Sequence, residues 1–160
     1  MPTEPLKVLF VCMGNYCRSP SAEGLFLKML QEQGLTTRVH VDSAGTHDYH
    51  VGDAPDPRSQ RAAKQRGIDL SALRGRQIDE RTDFAEFDYI LPMDKHNHAN
   101  LYAICPPEHR HKIRLFMTFA PERAVAEVPD PYMTGEFSYV LDLLEAACAG
   151  LLTDIKQRLE

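Results

Sequence analysis

Between residues 8 and 30 the apolar residues change their period, and that change constrains the fold more than any other feature. Val8-Leu9-Phe10-Val11 is a continuous apolar run with β-branched members, the pattern of a strand buried on both faces. From Pro20 onward, Ala22, Leu25, Phe26, Met29 and Leu30 recur at i, i+3, i+4, i+7 and i+8. That spacing draws one apolar stripe along a helix, which Gly34 closes. Ser19 as N-cap and Pro20 as first helical residue mark the predicted start. Only residues 12–19 remain to turn the chain from strand to helix.

The rest of the chain repeats the alternation. Val39–Ser43 reads as a second strand, Pro57–Arg66 as a helix ended by Gly67, and Phe87–Met93 as a third strand. Asp94–Ile104 reads as a helix stopped before Pro106-Pro107, and Lys112–Met117 as a fourth strand. A long amphipathic pattern over Phe137–Leu159, weakened by Gly150, forms the last helix. Strands alternating with helices predict an α/β fold: a four-stranded parallel sheet with helices on both faces. No repeat, low-complexity tract or linker interrupts the 160 residues, so 1–160 reads as a single domain. In such sheets ligands bind at the carboxyl ends of the strands, where the first strand–helix turn lies.

Composition removes several classes of function. A net charge of −5 without a basic run argues against a nucleic-acid binder. Residues 1–7 lack the basic region of a signal peptide, and no apolar run is long enough to span a membrane. Four cysteines in a chain of this length do not make a disulfide scaffold, so a cytoplasmic setting with reduced thiols is expected. Seven histidines raise the possibility of zinc. His96/His98 and His109/His111 are spaced i, i+2, which on a helix puts them on different faces. Cys105 and Cys148 sit within apolar patterns and read as core thiols. Neither a metal nor a cofactor is expected.

The chemistry concentrates in Cys12-Met13-Gly14-Asn15-Tyr16-Cys17-Arg18-Ser19. A loop closing between Cys12 and Arg18 can aim the N–H groups of residues 13–19 around a tetrahedral anion, with Gly14 and Asn15 admitting left-handed backbone. The helix that follows adds its dipole at the same point. Positive potential there binds phosphoryl oxygens and stabilises a Cys12 thiolate. Arg18 offers a planar fork for two oxygens, and Ser19 can donate a hydrogen bond to the sulfur. No Gly-Lys-Ser/Thr follows Gly14, so the segment is not a nucleotide P-loop. Asp130-Pro131 is a turn by sequence alone; expelling a phenolate gives Asp130 a second use, as proton donor.

The signature Val-Cys-Met-Gly-Asn-Tyr-Cys-Arg-Ser-Pro-Ser-Ala-Glu resembles that of the low-molecular-weight protein tyrosine phosphatases. Asp42-Ser43-Ala44-Gly45-Thr46, Asp56-Pro57-Arg58, Pro92-Met93-Asp94 and Asp130-Pro131-Tyr132 match further family landmarks in order. The resemblance implies hydrolysis of phosphotyrosine or other aryl phosphomonoesters through a cysteinyl-phosphate intermediate, on a phosphoprotein or peptide, releasing inorganic phosphate. It implies that Cys12 attacks phosphorus, Arg18 binds the phosphate, and Asp130 protonates the leaving oxygen and then activates water. By the same resemblance Tyr49 and Tyr132 line the cleft, and Asn15, Ser19 and Ser43 prop the loop with Asp94 behind them. Tyr16 stands where the family often has a small or aliphatic residue, so a third aromatic cleft wall is expected there. Cys17 is expected to shield Cys12 from over-oxidation by forming a disulfide with it. Some members carry a loop-supporting His near Leu73, which this chain lacks, leaving open what completes the Asn15 network.

Three alternatives stand beside that reading. Arsenate reduction on a similar fold needs a further thiol pair, expected around residues 80–95, where no Cys occurs. A phosphoarginine phosphatase would use the same loop. A non-enzymatic anion or redox sensor would use Cys12 and Cys17 but has no need of Asp130.

Overall fold

In the computed structural model, which describes residues 4–160, strand β1 (Leu6–Cys12) runs between two parallel neighbours. The first three residues of the stretch read against a signal peptide lie outside the described residues. β2 (Val39–Gly45) pairs along one edge of β1 and β3 (Tyr89–Pro92) along the other. Cys12 is level with Gly45, and Val11 with Pro92, so all three strands end at one rim. A central strand with two partners is the most constrained position in a small sheet, and Cys12 is its last residue.

The run Leu9 to Val11 is buried on both faces, as its continuous apolarity requires. Val8 and Phe10 enter the larger core with α1 (Arg18–Glu32) and α6 (Phe137–Leu159); Leu9 and Val11 enter a smaller one on the opposite face. Phe84 of α3 (Asp83–Glu86) and Leu101 of α4 (Lys95–Ile104) close that second core. Helix α2 (Pro57–Lys64) packs beside α6. A short α5 (Pro131–Thr134) precedes α6. Cys105 and Cys148 are buried, one in each core, and burial raises both thiol pKa values.

The sheet has three strands, not four. Pro107–Lys112 and Phe116–Phe119 form 3₁₀ turns, and Ile113 contributes a single bridge to Ile90. The reason lies in the spacing of the buried residues. Phe116, Met117 and Ala120 enter the larger core together at i, i+1 and i+4, a helical spacing, whereas Ile113 belongs to the smaller core on the other face, a pattern that strand alternation cannot bury. The second 3₁₀ turn packs directly on α6. A Cβ on Gly150 would lie 1.9 Å from the Phe119 carbonyl oxygen, so this glycine permits the approach and α6 continues unbroken through it.

The start of α1 also differs from the reading above. The helix begins at Arg18 with Cys17 as N-cap, and Pro20 falls in its first turn, where a missing N–H costs nothing. Ser19 does not cap, because its hydroxyl is engaged at Cys12 and Asn15.

Candidate active site

Residues 13–17 join β1 to α1, and several carbonyls along this stretch are tied to the surrounding structure. Cys12 O accepts from Thr46 N, Met13 O from His47 N, Tyr16 O from Asp56 N, and Cys17 O from the Ser21 hydroxyl. None of the backbone N–H groups of Met13, Gly14, Asn15, Tyr16 and Cys17 donates to a protein acceptor among the described residues. The loop therefore carries a run of backbone donors without protein partners, between Cys12 and the N-terminus of α1.

Asn15 carries the left-handed residue of the loop, at φ 54°; Gly14 is not in that region. The need for glycine at 14 is space, since a Cβ there would meet the His50 ring at 3.1 Å. The Asn15 amide is fixed from three sides. The Arg76 backbone N–H donates to its Oδ1 at 3.0 Å, and its Nδ2 donates to Ser19 Oγ at 2.8 Å and to Ser43 Oγ at 3.0 Å. Arg76 thus completes the network that the sequence left open. Its guanidinium in turn clamps Asp42 of β2 and Asp83 of α3, at 3.0 and 2.9 Å.

This wiring sets the direction of the next hydrogen bond. Ser19 Oγ accepts from Asn15, so its own proton is free for Cys12 Sγ, 3.0 Å away. A thiolate at Cys12 is thereby given a hydroxyl donor. On the other branch Ser43 donates to Glu23 Oε1 at 2.6 Å. Burial pushes the Glu23 carboxyl up to about 7. A carboxyl whose folded value lies above its unfolded one favours the folded state while protonated, and loses that contribution as pH rises through about 7. Relative to the native protein, Glu23→Gln should therefore gain about 1–3 kcal/mol of stability between pH 5 and pH 8. Denaturant unfolding at the two pH values checks this, and a difference independent of pH would contradict it.

Arg18 is 2 % exposed. One guanidinium nitrogen donates to Asp94 Oδ2 at 2.7 Å and to the Val128 carbonyl at 3.0 Å, while the other lies 3.8 Å from Asp130 Oδ2. Burial opposes its charge, but Cys12, Asp94 and Asp130 outweigh that and raise its pKa. Three aspartates around the loop share one design. Asp56, Asp94 and Asp130 are the N-caps of α2, α4 and α5, each accepting a backbone N–H on Oδ1. Each turns Oδ2 toward the site: Asp94 and Asp130 toward Arg18, and Asp56 toward the Cys17 thiol at 3.7 Å and Arg58 at 2.8 Å. Burial pushes the Cys17 thiol up to about 12, so it is a protonated donor at neutral pH.

Cys12, Met13, Gly14, Tyr16, Cys17, Arg18, Tyr49, His50, Asp130 and Tyr132 line one cleft of about 210 Å³. All three aromatic positions expected from the sequence border it, Tyr49 and Tyr132 being mostly exposed at its rim. His50 also borders the cleft, a residue that no sequence pattern singled out. Its ring lies flat against Tyr16, 3.7 Å between centroids and 5° from parallel, so one face of the phenol is already covered. Gly75 allows this arrangement, since a Cβ there would come 2.3 Å from the His50 carbonyl oxygen. Tyr16 meets Tyr132 at 6.3 Å, and Arg58 lies over the Tyr132 ring at 5.2 Å. Among the described residues, no group of three or more His, Cys, Asp or Glu side chains is arranged to hold a metal ion. No helix among them is long and apolar enough to cross a membrane.

Comparison with known proteins identifies the family. The chain is 36% identical to YfkJ, a low molecular weight protein-tyrosine-phosphatase of Bacillus subtilis, over 152 residues that cover 95% of this chain and 97% of that one. The crystal structure of YfkJ superposes with a TM-score of 0.95 over the full length of both chains. The human low molecular weight phosphotyrosine protein phosphatase is 41% identical over 131 residues, 78% of each chain. A Drosophila arginine phosphatase, 34% identical, covers 94% of this chain and 98% of its own with a TM-score of 0.85. Residues 7–160 match the family of low molecular weight phosphotyrosine protein phosphatases, and the chain belongs to that family.

Proposed function

We propose that this protein hydrolyses phosphotyrosine in a protein or peptide substrate, in the cytoplasm, through a cysteinyl-phosphate intermediate and without a cofactor. The observation that carries the reading is one cleft lined by Cys12, by the buried Arg18 and by Met13, Gly14, Tyr16 and Cys17 of a loop whose backbone N–H groups have no protein acceptor among the described residues. The whole chain, residues 1–160, is read as one phosphatase domain.

The N–H groups of residues 13–19 and Arg18 form the phosphate-binding loop. Cys12 Sγ attacks phosphorus as the bond to the phenolic oxygen breaks, and Asp130 gives that oxygen its proton. Asp130, then a carboxylate, takes a proton from water as the water attacks the phosphocysteine, releasing inorganic phosphate and the Cys12 thiolate. Ser19 stabilises that thiolate as leaving group through the hydrogen bond that Asn15 leaves it free to make. Asn15, Ser19 and Ser43 hold the loop in shape, and Asp94 orients Arg18. Rates measured for a phosphotyrosine peptide, phosphoarginine and a small aryl phosphate test the reading; no turnover of either aryl ester would sink it.

The likeness to an arginine phosphatase keeps phosphoarginine as the second reading. Tyr16, Tyr49 and Tyr132 favour an aromatic substrate, worth about 0.5–1.5 kcal/mol per ring pair. Tyr16→Thr should therefore lower kcat/KM several-fold for phosphotyrosine and leave it level or raised for phosphoarginine. A parallel shift on both substrates would remove Tyr16 as a selectivity element.

Cys17 completes the proposal as a redox guard. Peroxide converts Cys12 to the sulfenic acid, and condensation with the Cys17 thiol yields a disulfide and water. Both residues border the same cleft. Cys17→Ser should keep most of its basal rate but recover poorly with thiol after peroxide. Equal recovery in the two proteins would dismiss the guard.

A further inference from the structure

Two segments form the lips of the cleft, and their composition is one-sided. Residues 46–54 supply Tyr49 and His50 to the lining, and residues 129–137 supply Asp130 and Tyr132. Neither segment contains a Lys or Arg; the first carries Asp48 and Asp53, and the second Glu136 beside Asp130. Asp48, Asp53 and Glu136 are exposed. Arg58, which lies over the Tyr132 ring at the second lip, is committed to the buried Asp56 carboxylate, so it adds little free positive charge. The same lips hold exposed apolar groups: Tyr49 and Val51 on one side, Tyr132 and Met133 on the other, from 52% to 81% exposed.

A phosphate diester or free phosphate has no use for such lips. A polypeptide that enters the cleft with one phosphorylated side chain must lay its neighbouring residues across them. Resting on the phosphatase reading, we propose that the lips form a docking surface for a phosphotyrosine segment flanked by apolar and basic residues, and that they disfavour acidic flanks. Apolar neighbours cover Val51 and Met133, and Lys or Arg neighbours meet Asp48, Asp53 and Glu136. The positive potential for the phosphate stays confined to the floor, at Arg18 and the loop N–H groups. Phosphate affinity and flank preference thus have opposite electrostatic sign.

Three peptides of equal length test this, sharing a central phosphotyrosine and carrying Lys/Leu, Ser/Ala or Asp/Glu flanks. Each rate is divided by the rate on a small aryl phosphate, which has no flanks. At low ionic strength kcat/KM should fall in that order, by about three- to tenfold per step. High salt should narrow the gap between basic and acidic peptides while leaving the leucine advantage. In the double variant Asp53→Lys/Glu136→Lys, the order of the two charged peptides should invert when normalised to that variant's own aryl phosphate rate. Met133→Ser should reduce the leucine advantage alone. An acidic peptide equal to or faster than the basic one, or an order unmoved by the charge reversals, would overturn the docking surface while leaving the phosphatase intact. Loss of aryl phosphate turnover in the native protein would instead bring down the phosphatase reading, and this inference with it.

Discussion

Replacing Cys12 with serine is expected to abolish turnover of every phosphomonoester while leaving phosphate binding in place. The expectation rests on a division of labour in the cleft. On the proposed mechanism the sulfur is the nucleophile, while the N–H groups of residues 13–17 and Arg18 hold the anion, and no change at Cys12 removes them. A serine hydroxyl there has no neighbouring base to take its proton: the side chain within hydrogen-bond reach, Ser19, is a neutral hydroxyl. Groups that act as a unit fail together, and losses of roughly 10⁵–10⁶-fold in kcat are the scale for a missing nucleophile. Turnover should be measured with an aryl phosphate, and phosphate or vanadate affinity by calorimetry on the variant. EDTA should leave the native rate unchanged, with vanadate and phosphate as competitive inhibitors. Residual turnover in Cys12→Ser within tenfold of native, or a rate that disappears with chelator, would refute the mechanism.

The second large effect belongs to Asp130. Its carboxyl stands at the rim of the cleft, partly open to solvent, with Oδ2 3.8 Å from the Arg18 guanidinium. As general acid it is worth about 10²–10⁴-fold on a phenolic leaving group, the usual range for such catalysis. Asp130→Ala should lose that much on phosphotyrosine and less on esters whose alcohol departs unprotonated. That graded loss separates a proton donor from a residue that merely shapes the loop, which would slow all substrates alike. An undiminished rate on phosphotyrosine would remove Asp130 from the mechanism.

Most of the first half of the site was legible because local sequence and global fold agree there. The buried strand, the short turn and the switch to a helical period admit one arrangement, with Cys12 at the end of β1 and Arg18 at the head of α1. Ser43 and Asp94 could be named from the family landmarks they belong to. What could not be read were the partners supplied by distant backbone. Arg76 reaches Asn15 through its N–H, a group every residue but proline carries, so no side-chain pattern announces it. His50 is visible only once Gly14 and Gly75 are known to let it come close. Glu23 is a charged residue on an amphipathic helix and carries no apolar signal, yet it is buried against Ser43. The fourth strand failed for a different reason. Ile113 and Leu115 alternate as a strand would, but the residues that bury most deeply after Ile113 are Phe116, Met117 and Ala120, on a helical period.

The three capping aspartates carry a consequence for how this enzyme can be altered. At Asp56, Asp94 and Asp130 one carboxylate oxygen ends a helix and the other faces the site. Asparagine caps a helix about as well as aspartate, whereas alanine forfeits about 0.5–2 kcal/mol. Amide substitution at these positions therefore strips charge from the cleft at nearly constant fold, and alanine substitution does both at once. At Asp94 the amide would turn its NH₂ toward Arg18, setting donor against donor where the acid now receives a 2.7 Å bond. Paired Asn and Ala variants at the three sites thus read out scaffold and chemistry as separate quantities, one oxygen atom at a time.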